Sequence, residues 1–206
     1  MLEHSTFLVR ERVKVFASHN TYDIFAGDSD AKDPIGVAEE DLGFLTKLLR
    51  WFVSKQLLPT RVEIREKPDD SLVFSISRGI YIFRSRVEVH DAQGELVGYF
   101  KSKLISLSGG FYVYDKNDRQ FAELKGNLWG FNYRILTPDG SVELGHVSKK
   151  WGGVAKELFT SADTYAVDVS PDLSDQPMAK MLVLAAALAT DMIFKAETKG
   201  TIDLGE

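Results

Sequence analysis

The chain contains no cysteine in its 206 residues. That removes disulfides, thiolate zinc sites, cysteine nucleophiles and S-acylation together, and it fits a reducing cytoplasm. No excess of positive charge is present either: the formal net charge is −5, so bulk attraction to nucleic acid is not expected. The segment Met1 to Phe16 lacks a basic stretch followed by an apolar core, so no secretory signal is expected. The four histidines (His4, His19, His90 and His146) have no metal-ligand spacing and none accompanies a nucleophile elbow. Ser108-Gly109-Gly110 reads as a turn between strands, not as a phosphate-cradling loop. These absences argue against an enzyme and predict neither a metal nor a cofactor.

Long hydrophobic runs are also missing. The longest apolar segment, Met181 to Thr190, is bounded by Lys180 and Asp191 and gives ten uncharged residues. As helix it measures about 15 Å, half of the roughly 30 Å hydrocarbon core of a bilayer. Extending it through Phe194 would carry Asp191 into lipid, which is costly. A segment apolar on every side is instead a helix buried all round, here predicted over about residues 178–195.

What the chain has in quantity is β-hairpin pattern. Val89 to Tyr99, Val113 to Glu123 and Leu136 to His146 each read as β-formers, then a polar turn, then an apolar residue followed by a small one. The small residues are Gly98, Ala122 and Gly145, with fainter copies at Gly36 and Ser75. The intervals are about 39, 23, 24 and 23 residues, a spacing that marks stacked supersecondary units. The long first interval holds Glu39 to Gln56, where Leu42, Leu45, Leu48, Leu49 and Phe52 recur at helical spacing, with Asp41 as N-cap. An opening strand from Thr6, five hairpins and a closing strand at Thr164 to Val169 bring the total to about twelve strands. A closed barrel of that size is too wide for its own side chains to fill, and the apolar C-terminal helix is a suitable plug. The expected fold is therefore mainly β: one domain over residues 1–206, a closed or nearly closed antiparallel barrel around that helix, with one amphipathic helix near residues 40–55.

These features resemble the tubby C-terminal-like superfamily, and within it the phospholipid scramblase and LURP-one-related branch. The carrying stretches are Phe83 to Leu104, Phe111 to Gly130 and Val147 to Val169, then the C-terminal apolar helix. The most specific block is Lys149-Lys150-Trp151-Gly152, followed by Glu157-Leu158-Phe159-Thr160 and Ala162-Asp163. The resemblance implies a twelve-stranded barrel around a central helix, anionic-lipid binding as in the tubby branch, and lipid scrambling as in the scramblase branch. The acid-rich segment proposed to bind calcium in scramblases is depleted here. Only Asp163 and Asp172 supply carboxylates where that pattern wants them, and Ser161 stands in for an acid. Calcium prefers six to eight oxygens, so no metal is expected.

Strand parity supplies the binding candidates. Arg84 and Arg86 alternate with apolar residues on one strand, as Lys101 and Lys103 do on the next. A turn near Gln93-Gly94 sets Arg84 against Lys101 or Lys103, or Arg86 against Lys101. Like charges facing one another are destabilising, so a chain that gathers them has a use for an anion. Lys47, Arg50, Trp51 and Lys55 on the predicted amphipathic helix form a second candidate, a membrane-interface helix. Lys149, Lys150, Trp151 and Lys156 extend the basic residues along the chain. The expected function is a non-enzymatic module, cytoplasmic and peripheral to the membrane, that engages anionic phospholipid headgroups through Arg84, Arg86, Lys101 and Lys103. The alternatives are a soluble scaffold with a protein partner and a lipid-translocating protein.

Overall fold

A computed structural model describes residues 1–12, 20–27, 33–41, 60–79, 86–102, 110–127, 130–149 and 164–202, with helix side chains described as far as Asp191. Twelve strands form a closed antiparallel barrel: β1 Thr6–Glu11, β2 Thr21–Ala26, β3 Gly36–Asp41, β4 Thr60–Glu66, β5 Leu72–Arg78, β6 Arg86–Asp91, β7 Leu96–Ser102, β8 Phe111–Asp115, β9 Gln120–Asn127, β10 Asn132–Leu136, β11 Glu143–Ser148 and β12 Thr164–Val169. Each strand pairs with its neighbours in sequence, and β1 closes on β12 through pairs such as Val9 with Tyr165. Closure leaves none of these twelve described strands at an open sheet edge. After a short 3-10 turn at Pro171–Leu173 comes the helix α1, Pro177–Ile202. Proline at its start fixes φ without costing a hydrogen bond.

The turns carry the polar chemistry of the repeat. The carboxylate of Asp91 accepts hydrogen bonds from the backbone N–H groups of Gln93 and Glu95 at 3.0 and 2.9 Å. Asp115 does the same for Asn117 and Arg119 at 2.8 and 2.9 Å. Asp139 takes its bonds from Thr137 and Ser141, which pull its carboxyl down to about 2. Gly94 and Gly140 supply the positive φ that these turns need, and Asp118 adopts it as well.

The barrel interior holds α1. Val183, Leu184, Ala185 and Ala187 are fully buried, and Leu182, Ala186, Leu188, Ala189, Thr190 and Asp191 nearly so. The small residues of the repeat make room for it. A side chain on Gly98 would meet Leu182 at 3.0 Å and the carbonyl oxygen of Tyr114. One on Gly145 would meet Val183 at 2.7 Å and the Asp168 carbonyl at 2.8 Å. Ala122, paired with the core residue Val113, is fully buried. The repeat is thus a row of inward positions whose smallness lets strands and helix approach.

Two expectations need correction. Ser75 does not belong to that row: it is paired with His90 and Glu63, between the core residues Phe74 and Ile76, and so lies on the outward face. A one-residue offset reverses the face of every side chain in a strand, and the faint copy is misindexed by that amount. Glu39, Glu40 and Asp41 are not the start of a helix. They end β3, paired with Glu63, Val62 and Arg61. Partners across the strand pair satisfy their backbone groups. The rest of the predicted helix, including Lys47, Arg50, Trp51 and Lys55, lies outside the described residues.

Polar contacts fix α1 at both ends of its buried stretch. Lys180, itself buried, donates from Nζ to the carbonyl oxygens of Leu2 at 2.9 Å and His4 at 3.3 Å. The Tyr22 hydroxyl donates to Asp191 Oδ2 at 2.5 Å. Burial first, and then the neighbouring Asp191 carboxylate, push the Tyr22 hydroxyl far above the usual phenol range. Burial likewise raises Tyr133 and Tyr165.

Candidate functional site

The outward face of β6, β7 and β8 carries the cationic candidates. The register sets Arg86 directly opposite Lys101. Across the next pair, Lys101 faces Tyr112 and Tyr99 faces Tyr114. Arg84 and Lys103 lie outside the described residues. Two of the four predicted cations are therefore brought together by the strand pair.

Aromatic rings explain how like charges tolerate this position. Tyr99 and Tyr114 stack with centroids 5.0 Å apart and planes 11° from parallel. The Arg86 guanidinium lies 3.8 Å from the centre of the Tyr99 ring. Lys101 Nζ stands 5.1 Å from Tyr99 and 4.9 Å from Tyr114. Ring faces carry negative charge density and attract cations within about 6 Å. Arg86 also reaches Glu88, with Nε 3.0 Å from Oε1. The rings hold the two cations in place, so an anion bound there would cost less side-chain entropy.

Tyr99 anchors the stack. Its ring is nearly fully buried under its neighbours, and its hydroxyl donates to Asp118 at 2.8 Å. Burial, followed by that hydrogen bond, pushes the hydroxyl up to about 12. A raised phenol pKa in the folded state means that the unfolded chain releases its proton first. Stability is then fully present below about pH 10 and falls as pH rises through 10 to 12. Tyr22, Tyr133 and Tyr165 act in the same direction. In an ultraviolet titration at 295 nm these four of the seven tyrosines should ionise only as the barrel unfolds. One smooth step near pH 10 with the fold intact would contradict their burial.

Tyr99 and Tyr114 were not among the sequence candidates. Their signal was present: Tyr99 shares the parity of Lys101, and Tyr114 that of Tyr112. Elsewhere Lys149 lies 5.0 Å from the Phe131 ring, and Arg10 lies 4.7 Å from the Phe25 ring. Arg10 of β1 and Arg12 just after it turn to the same outer carboxylate: Arg12 donates twice from Nε to Asp23 at 3.0 Å, and Arg10 comes within 3.6 Å of it. That single carboxylate offsets one of their two charges. Among the described residues no group of three or more His, Asp or Glu side chains could hold a metal ion, and no helix is long and apolar enough to cross a membrane.

A family model described as Scramblase matches residues 9–196. Human phospholipid scramblase family member 5 is 24% identical over 118 residues, which cover 54% of this chain and 43% of that protein. Human phospholipid scramblase 2 is 24% identical over 119 residues, 55% of this chain and 39% of the relative. The matched segment thus spans about two fifths of the length of these curated relatives. No solved structure matches. The barrel threaded by its C-terminal helix is consistent with the tubby C-terminal-like fold. With nearly all of its barrel inside the matched region, the chain belongs to the scramblase family.

Proposed function

We propose that this protein is a non-enzymatic module that engages anionic phospholipid headgroups at a membrane surface through Arg86 and Lys101, extended by Arg84 and Lys103. The observation that carries the reading is the direct cross-strand pairing of two cations on the outward face of the barrel. Both are organised by a tyrosine stack rather than dispersed into solvent. The relatives are named for phospholipids, and a surface-bound module needs no spanning helix.

Co-sedimentation with vesicles tests it, using neutral and phosphatidylserine-containing vesicles at low and high salt. Wild type should pellet with the anionic vesicles and be released by salt, because exposed charges are screened. A cation near an anionic surface contributes about 1 kcal/mol. Reversing both charges in Arg86→Glu with Lys101→Glu changes four units, so affinity should fall about a thousandfold. Arg134→Glu, an exposed position on β10 two strands beyond β8, reverses a charge away from the patch and should retain most binding. Equal binding by wild type and the double variant would remove the patch from the proposal. No binding to any vesicle would remove the lipid.

A further inference from the structure

We infer that headgroup binding by this patch is strengthened by mild acid, with His90 as the sensor and Glu88 as the group that transmits its charge. The inference rests on the lipid-binding reading above. Along β6 the outward residues are Arg86, Glu88 and His90. One carboxylate serves both neighbours: Glu88 Oε1 lies 3.0 Å from Arg86 Nε, and Glu88 Oε2 lies 3.7 Å from His90 Nε2. With a neutral imidazole, Arg86 and Glu88 cancel, and Lys101 is the net charge of the group. With an imidazolium, the same four residues carry two net positive charges. Histidine is the side chain whose charge ordinarily changes between pH 5 and 8.

His90 also has a second polar neighbour. Among the described residues its Nδ1, shielded from solvent, has no hydrogen-bond partner. Directly across the strand pair stands Ser75, whose Oγ is likewise shielded and without a partner. Residues so paired have Cβ atoms about 5 Å apart, so a small side-chain rotation lets Ser75 accept from a protonated Nδ1. The imidazolium then has an acceptor on each nitrogen, Ser75 on one side and Glu88 on the other. Among the described residues, the other groups facing this position are few. On β5, Ser77 lies opposite Glu88. On β4, Glu63 lies beyond Ser75 and is already bound by Arg61 and Arg65 at 3.2 and 2.6 Å. On β7, Leu96 lies opposite His90, Tyr99 opposite Glu88 and Lys101 opposite Arg86. A charged His90 therefore shares the Glu88 carboxylate with Arg86 and leaves more of the guanidinium's charge for a phosphate.

The test is co-sedimentation at pH 7.5 and 5.5 with phosphatidylcholine vesicles containing about a third phosphatidylglycerol, whose phosphodiester keeps its charge across this range. Wild type should bind about fivefold more tightly at pH 5.5, the worth of one added charge. His90→Gln, permanently neutral, should lose most of that difference. His90→Lys, permanently charged, should bind at both pH values as wild type does in acid. Salt-sensitive binding that is independent of pH in wild type would overturn the inference and leave the headgroup reading standing. So would a pH dependence that survives unchanged in His90→Gln. Absence of binding at either pH would overturn both.

Discussion

Gly98→Ala is expected to destabilise the barrel by about 3 kcal/mol, and Gly98→Val to prevent it from closing. The added methyl has nowhere to go. On one side is the carbonyl oxygen of Tyr114, part of the β7–β8 ladder; on the other is Leu182 of the central helix at 3.0 Å. Overpacking in a close-packed interior costs about 1–3 kcal/mol where side chains can give way. Here the nearer obstacle is backbone, so the cost sits at the top of that range. For a chain of this size the midpoint of thermal unfolding should fall by roughly 6–12 °C. Gly94→Ala is the informative contrast. That glycine has φ +85° but open space around it, so alanine there costs about 1 kcal/mol from backbone conformation alone. Leu182→Ala should relieve Gly98→Ala only in part, because it removes the side-chain contact and leaves the carbonyl. If thermal melts showed Gly98→Ala no worse than Gly94→Ala, the small residue would not be a seat for the helix.

This seat is the part of the fold most legible in the sequence. Gly98, Ala122 and Gly145 mark it at a fixed interval, and the all-apolar run from Met181 to Thr190 announces what sits there. Both signals are local patterns, the kind that period and composition preserve. Even so, parity is fragile: at Ser75 the pattern was faint, and one residue of offset carried the assignment to the outer face. The end of β3 was misread for a different reason. Glu39 to Asp41 have the composition of a helix start, but long-range pairing with β4 outweighs local preference. The site was half legible. Parity and the turn at Gly94 left two registers open, of which the structure takes the one that sets Arg86 opposite Lys101; of the two rings that hold them, Tyr99 lies on β7 itself and only Tyr114 comes from a further strand. The polar contacts on α1 were not legible at all. Tyr22 and Asp191 are 169 positions apart, and Lys180 meets backbone carbonyls 176 and 178 positions away. Only barrel closure brings them together, and no window of sequence contains both partners.

Hydrogen exchange along α1 is expected to be the slowest in the molecule, and to stay so when anionic vesicles are bound. Leu182, Val183, Leu184 and Leu188 are buried on the barrel axis with four alanines between and beside them. Returning that surface to water costs on the order of 10 kcal/mol at the usual coefficient, and the hydrogen bond from Tyr22 to Asp191 adds about 2 kcal/mol, as is usual for bonds to charged groups. That sum matches the whole stability of an ordinary domain. The helix therefore has no low-energy way out: to withdraw it is to unfold the barrel around it. Amides of the buried stretch should exchange only through global opening, slowed by about 10⁵-fold or more. Tyr22→Phe should raise their exchange rate about thirtyfold by removing the one bond, without exposing the helix selectively. Vesicle binding through the outer face of β6 to β8 leaves this interior untouched, so protection should be the same with and without lipid. A selective loss of protection over residues 182–190 in the presence of anionic vesicles would show the opposite. The helix would then be leaving its seat on the membrane, and translocation by insertion would become the better account of this scramblase-family chain than headgroup binding at the surface.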